Sequence, residues 1–191
     1  MILGGPFQGL RMSLDLTCKS QLYLCLFERE LYRWLRRFSR SINTAVDIGA
    51  GEGEYTLYFL FNSSAKKVFA YEPDADNRAR LMSNLELNEF ADSSRLVLSS
   101  KFVGALDTED ECTLYSLLTS ILPPWLIKMD VDGGEVRILQ GASRLLKVPQ
   151  VSWIIETHSQ QLEEDCYTDT PSSWVSDDDC VCLLYTSDAA D

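Results

Sequence analysis

The residues with the clearest chemical potential lie in the stretch Val46-Asp47-Ile48-Gly49-Ala50-Gly51-Glu52-Gly53. Glycines let a backbone turn tightly and approach a ligand with no side chain in the way. A helix that starts after such a turn presents free amide donors, which in dinucleotide enzymes hold pyrophosphate. Asp47, just before the turn, is placed to hold the loop or to reach a cationic group on a ligand, directly or through water. Glu72 follows roughly 20 residues beyond Gly51, a spacing at which an acid accepts ribose hydroxyls. An ionised carboxylate suits that task because it offers only acceptors. Together the turn and the acid point to an adenosine-containing cofactor, against the plainer reading of a tight turn and a surface glutamate. A dinucleotide fingerprint would want glycine or alanine where Glu54 stands, which counts against a nicotinamide cofactor.

A second group lies further on, in Ile127-Lys128-Met129-Asp130-Val131-Asp132-Gly133-Gly134-Glu135 and in Ile154-Ile155-Glu156-Thr157-His158. On a strand, Lys128 and Asp130 share one face, as do Glu156 and His158. Strand ends are where doubly wound sheets place their ligands, so Asp130 and His158 are candidate catalytic residues. His158, the sole histidine, has an intrinsic pKa suited to base work. Glu135 is the third candidate; an acid in the first turn of a helix also serves simply to stabilise its dipole.

The elements that must position these groups read as alternating strands and helices, the pattern of a βαβ architecture. Leu14–Leu16 suggests a short strand in a lead-in hairpin. Leu22–Phe38 reads as an amphipathic helix, with Phe27, Leu31, Trp34, Leu35 and Phe38 at one-face spacing. Arg33, Arg36, Arg37 and Arg40 crowd its C-terminal end, where cations complement the helix dipole; binding of an anionic substrate is the sharper alternative. Strands are predicted at Thr44–Ile48, Lys67–Tyr71, Leu96–Ser99, Leu126–Asp130 and Val151–Glu156. Helices are predicted at Glu54–Phe61, from an Asp74 cap to Leu87, at Thr113–Thr119, at Glu135–Leu146 and from Gln160 to Cys166. The expected layout is a lead-in hairpin and helix at 1–43, a Rossmann-like cofactor domain at 44–166 and an incomplete C-terminal segment at 167–181.

Composition narrows the function. A formal net charge of -12 argues against a general grip on nucleic acid, because phosphates would be repelled, and favours a cationic small molecule. One histidine excludes a histidine-rich metal site, so no metal is expected. The six cysteines show no Cys-x-x-Cys spacing and read as reduced thiols, which with the lack of a signal-like start predicts a cytoplasmic protein. No apolar run approaches the ~18 residues a membrane span needs. Residues 182–191, Cys-Leu-Leu-Tyr-Thr-Ser-Asp-Ala-Ala-Asp, resemble the in-frame translation of a transposase-type sequencing adapter. They are therefore expected to be a non-native tail, with the natural chain continuing past residue 181. Setting Asp188 and Asp191 aside leaves the chain strongly acidic.

The motifs together resemble the FkbM-like family of S-adenosylmethionine-dependent methyltransferases. The resemblance runs from about residue 7 to 166. It rests on 46–57, on Phe69-Ala70-Tyr71-Glu72-Pro73-Asp74, on Ser83-Asn84-Leu85-Glu86-Leu87-Asn88, on 127–135 and on Glu156-Thr157-His158; Gly9-Leu10-Arg11-Met12 and Phe27-Glu28 resemble the family's lead-in. Gly51 stands where the family commonly has asparagine and Gly134 where it has alanine. The resemblance implies an α/β fold, a Rossmann-like, mostly parallel, doubly wound sheet of seven strands, here expected to lack the C-terminal antiparallel strands. It implies methyl transfer from S-adenosyl-L-methionine to a hydroxyl of a sugar or natural-product-like small molecule. It carries Asp47, Gly49, Gly51, Gly53 and Glu72 to cofactor binding and places Asp130, Glu135 and His158 near the transfer site. A hydroxyl acceptor needs a base within hydrogen-bond reach, and His158 or Asp130 is expected to supply it. Two alternatives stay open: a truncated or degenerate domain that binds cofactor without turnover, and a nicotinamide-dependent oxidoreductase.

Overall fold

The computed structural model describes residues 1–13, 16–118, 121, 123–157 and 181–185, the last stretch as backbone. Eight strands are assigned among these residues: β1 Thr44–Ile48, β2 Lys67–Tyr71, β3 Leu96–Ser99, β4 Phe102–Val103, β5 Glu111–Cys112, β6 Trp125–Met129, β7 Val151–Thr157 and β8 Val181–Tyr185. Six form one sheet in the order β3-β2-β1-β6-β7-β8, and every pairing in it is parallel. β4 and β5 form a separate two-stranded pair. The helices are α1 Leu16–Tyr23, α2 Tyr32–Phe38, α3 Glu54–Asn62, α4 Ala75–Leu87, α5 Leu114–Leu118 and α6 Glu135–Gly141. The chain order reverses between β1 and β6, which makes the crevice beyond their carboxyl ends the expected ligand position.

Parallel strands buried on both faces need apolar side chains on both, and β1 and β6 are buried at every position. The two faces divide by the period-2 rule. Ala45, Leu126 and Ile154 pack with α3, α4 and the N-terminal segment. Val46, Ile48, Ile127, Met129, Trp153 and Ile155 pack with Leu114 of α5 and Ile138 and Leu139 of α6. Fully buried leucines such as Leu57 of α3 and Leu81 of α4 each contribute roughly 2 kcal/mol of apolar burial.

Most elements begin and end where the sequence places them. Asp74 caps α4, its side chain accepting from the Asn77 backbone N–H at 2.8 Å. The helix expected over Leu22–Phe38 is instead broken. α1 ends at Tyr23, Cys25 and Glu28 adopt left-handed backbone with φ of 61° and 44°, and a 3-10 turn at Arg29–Leu31 leads into α2. The one-face periodicity survives the break, since Leu31 and Leu35 are buried and Phe27, Trp34 and Phe38 pack on the same cluster. What periodicity cannot show is the turn at Glu28, which coincides with its carboxylate accepting a hydrogen bond from the Tyr55 hydroxyl on α3.

Leu14 of the expected lead-in strand lies outside the described residues, and Leu16 opens α1. Residues 2–10 close on themselves through Ile2 N–H to Leu10 O at 2.8 Å and Gly9 N–H to Ile2 O at 3.0 Å, without a strand ladder. The helix expected at Glu135–Leu146 stops at Gly141 and resumes as a 3-10 turn at Leu145–Lys147. β8 overlaps the segment 182–191, so the edge strand beside β7 is drawn in part from the expected tail. The helix expected from Gln160 lies outside the described residues.

Candidate active site

The glycine turn joins β1 to α3 at the carboxyl end of the sheet. Gly49, Gly51 and Gly53 have φ of 75°, 54° and 95°. The demand is strongest at Gly49, where an added Cβ would lie 1.8 Å from the Asp130 backbone oxygen. A side chain there is excluded by conformation and by space together. Gly49 and Ala50 both donate backbone N–H groups to the Tyr71 carbonyl at 3.0 Å, which ties the turn to the end of β2.

Glu72 completes that tie. Its Oε2 accepts from Gly51 N–H at 2.7 Å and its Oε1 from Asp74 N–H at 2.9 Å. The acid is thus held by backbone donors from two loops, and each oxygen keeps lone pairs for a further donor. Ile48, Gly49, Gly51, Glu72, Asp130 and Asp132 border a cavity of about 560 Å³ with Lys101 and β4, and with Val131, Gly134 and Ile138. That size falls within the roughly 300–1,000 Å³ range of small-molecule sites.

Behind the turn sits a buried charge cluster that strand register assembles. Asp47 on β1 is the registered neighbour of Lys128 on β6. Asp130 and Glu156 follow on the same face, and Glu28 and Tyr55 cover them from the N-terminal segment and α3. Lys128, fully buried, donates to Asp130 Oδ2 at 2.8 Å and lies 4.4 Å from the centre of the Tyr55 ring. Burial alone would lower its pKa, but Asp130, Glu28, Asp47 and Glu156 hold it above the ordinary lysine value. Asp47 is fully buried, and its Oδ2 accepts from the Thr56 hydroxyl at 2.6 Å while Oδ1 has no hydrogen-bond partner among the described residues. Burial pushes its carboxyl up to about 7, against the pull of Lys128 and the Thr56 bond. Burial likewise pushes Glu28 up to about 8, opposed by Lys128 and Tyr55 and reinforced by Glu156 and Asp130.

The fold therefore brings most of the expected site residues to one end of the sheet. Gly49, Gly51, Glu72 and Asp130 border the cavity. Asp47 lies behind the turn, and Gly53 packs against Leu81, 2.9 Å from its notional Cβ. Glu135, at the start of α6, is fully buried and is not a lining residue. His158 lies outside the described residues. Sequence reading met Glu28 and Tyr55 only within stretches that resemble the family and gave neither a role, and it missed the Lys101–Val103 wall. It placed Lys128 and Asp130 on one face, which is the signal for their ion pair.

A parallel, doubly wound sheet with a glycine turn and an acid at the next strand end defines an α/β Rossmann-like fold. Solved structures share it. One is a methyltransferase FkbM from Methylobacillus flagellatus KT (TM-score 0.54, 22% identity, covering 83% of this chain and 48% of that one). Another is a precorrin-6y C5,15-methyltransferase from Geobacter metallireducens GS-15 (TM-score 0.52, 14% identity, covering 84% and 74%). A third is an rRNA methylase from Streptococcus thermophilus (TM-score 0.50, 15% identity, covering 74% and 79%). The chain spans about half the length of the Methylobacillus protein. No curated protein matches.

The family model of the methyltransferase FkbM domain matches residues 108–179. That match covers part of the chain, including the stretch 127–135, and is a similarity to the FkbM methyltransferase domain over those residues. Among the described residues no helix is long and apolar enough to cross a membrane.

Proposed function

We propose that this chain is an S-adenosyl-L-methionine-dependent methyltransferase acting on a hydroxyl of a sugar or natural-product-like small molecule. The observation that carries the reading is the bond from Gly51 N–H to Glu72 Oε2 at the edge of the cavity. It sets a carboxylate, fixed by backbone donors, beside a turn whose first position, Gly49, leaves no room for a side chain. The residues fit such a cofactor. Glu72 offers acceptors for ribose hydroxyls, and Phe102, 60% exposed on the cavity wall, offers an aromatic face for adenine. Gly49, Gly51 and Gly53 keep the turn open for the amino-acid part, and Asp47 stiffens it through Thr56. The surplus of carboxylates around Lys128 favours a cationic ligand.

When bound, the cofactor supplies an activated methyl group on a positively charged sulfur. The protein's part is to align an acceptor hydroxyl and to receive its proton. Asp130 lines the cavity and is held by Lys128, and His158 follows β7 in sequence; these two are the candidate bases. Glu135, buried in the first turn of α6, complements the dipole of that helix.

Calorimetric titration with S-adenosylhomocysteine and with NAD tests the cofactor, and transfer of labelled methyl to a panel of hydroxylated acceptors tests the reaction. Saturable binding of S-adenosylhomocysteine without binding of NAD is expected. Binding of NAD alone would overturn the reading. Cofactor binding without transfer to any acceptor would favour a binding domain without turnover.

A further inference from the structure

A second concavity, of about 300 Å³, lies on the N-terminal segment and shares no lining residue with the cofactor cavity. Arg36 and Arg40, one helical turn apart, line it together with Ser39, Tyr58, Gln8 and Asn62. α3 starts at the glycine turn and carries Tyr58 and Asn62 in its later turns, so this groove sits toward the opposite end of the sheet. Ser64, just beyond α3, closes the floor by donating its backbone N–H to the Ser39 carbonyl at 3.0 Å. The loop at residues 5–8 is pinned over it, Asn62 Nδ2 donating to the Pro6 carbonyl at 2.6 Å.

The chemistry of the groove is dominated by donors. Neither arginine has a carboxylate partner among the described residues. Ser39 Oγ and Tyr58 Oη are buried and lie 2.8 Å apart. One hydroxyl must donate to the other, which leaves one buried O–H with no acceptor among the described residues. A buried donor without an acceptor is costly, and a dipole role for the arginines does not account for it. Two unpaired guanidinium groups and a buried O–H in one compact hollow match an oxyanion with several acceptors, the pattern of a phosphate. The hollow is small and the chain carries a net charge of -12, which disfavours a long polyanion over a single phosphate group.

We propose that the groove formed by Arg36, Arg40, Ser39 and Tyr58 binds the phosphate group of a small phosphomonoester, at a site separate from the cofactor cavity. The test is calorimetric titration of the full chain with phenyl phosphate and inorganic phosphate at low ionic strength, repeated with the Arg36→Gln/Arg40→Gln double variant and with Tyr58→Phe. Saturable one-to-one binding is expected, weakened at least tenfold in the double variant and about threefold or more in Tyr58→Phe. Affinity for S-adenosylhomocysteine should stay unchanged in both variants, which also shows that they fold. Absence of saturable binding by the parent chain, or equal affinity in the double variant, would overturn the proposal. So would displacement of phosphate by S-adenosylhomocysteine, which would move the site to the cofactor cavity. A single-stranded RNA oligonucleotide that binds through the two arginines while phenyl phosphate does not would also overturn it.

Discussion

Gly51 donates its backbone N–H to Glu72 Oε2 at 2.7 Å, joining the turn after β1 to the acid that ends β2. The bond orients the carboxylate before any ligand arrives, so the ordering cost of the site is met on folding. Replacing Glu72 with alanine removes the proposed ribose acceptors and leaves the Gly51 and Asp74 donors without this partner. Hydrogen bonds to charged groups contribute roughly 1.5–3 kcal/mol each. Affinity for S-adenosylhomocysteine, read by calorimetry, should therefore fall at least tenfold. Glu72→Gln, which keeps one acceptor oxygen, should lose less.

Two glycines with similar backbone separate space from conformation. Gly49, at φ 75°, has the Asp130 carbonyl oxygen 1.8 Å from its notional Cβ, whereas Gly133, at φ 85°, has nothing within 4 Å among the described residues. Gly133→Ala should cost only the left-handed penalty, about 1–2 kcal/mol. Gly49→Ala must also push β1 and β6 apart and should cost well over about 3 kcal/mol. Urea denaturation of the two variants checks the order; equal losses would contradict the contact.

Lys128 is a buried cation amid Asp130, Glu28, Asp47 and Glu156. Lys128→Met keeps bulk but strands the negative charges, and breaking a buried pair typically costs about 3–5 kcal/mol. The loss should be smaller at pH 5 than at pH 8.5, because Glu28 and Asp47, pushed up to about 8 and about 7, are protonated at the lower pH. Denaturant midpoints at the two pH values give the comparison, and a loss independent of pH would count against the cluster.

Asp47 sets a pH dependence of the unmodified chain. Its carboxyl, pushed up to about 7 by burial, holds its proton when folded over a range where the unfolded chain has released it. The folded state then binds more protons, and stability falls as pH rises between about 4 and 7. Glu28, pushed up to about 8, extends the fall by a unit. Asp47→Asn removes its share, up to about 4 kcal/mol, so its denaturation midpoint should change less between pH 5 and pH 8 than that of the parent. A steeper change in the variant would refute the assignment.

Much of this arrangement is legible in the residues. β1, β2 and β3 start and stop where their apolar runs do, and Asp74 caps α4 as its residue type suggests. The glycine-turn end of the sheet is readable because glycine spacing and strand-ending acids are local signals. Glu28 is not readable, because its contact with Tyr55 joins two elements through a left-handed turn that the surrounding helical periodicity conceals. The pairing of Lys128 with Asp130 follows from alternation, but its closeness to Asp47 depends on the β1–β6 register. β4 and β5, two residues each, are too short to show a period.

The Gly49 contact with residue 130 is made by that residue's backbone carbonyl, not by its carboxylate. The turn therefore senses where position 130 is and is indifferent to which side chain stands there. Position 130 thus has two separate ties, a main-chain one that sets the clearance at Gly49 and a side-chain one that neutralises Lys128, so exchanging its carboxylate strands the buried cation while leaving the room beside the turn unchanged.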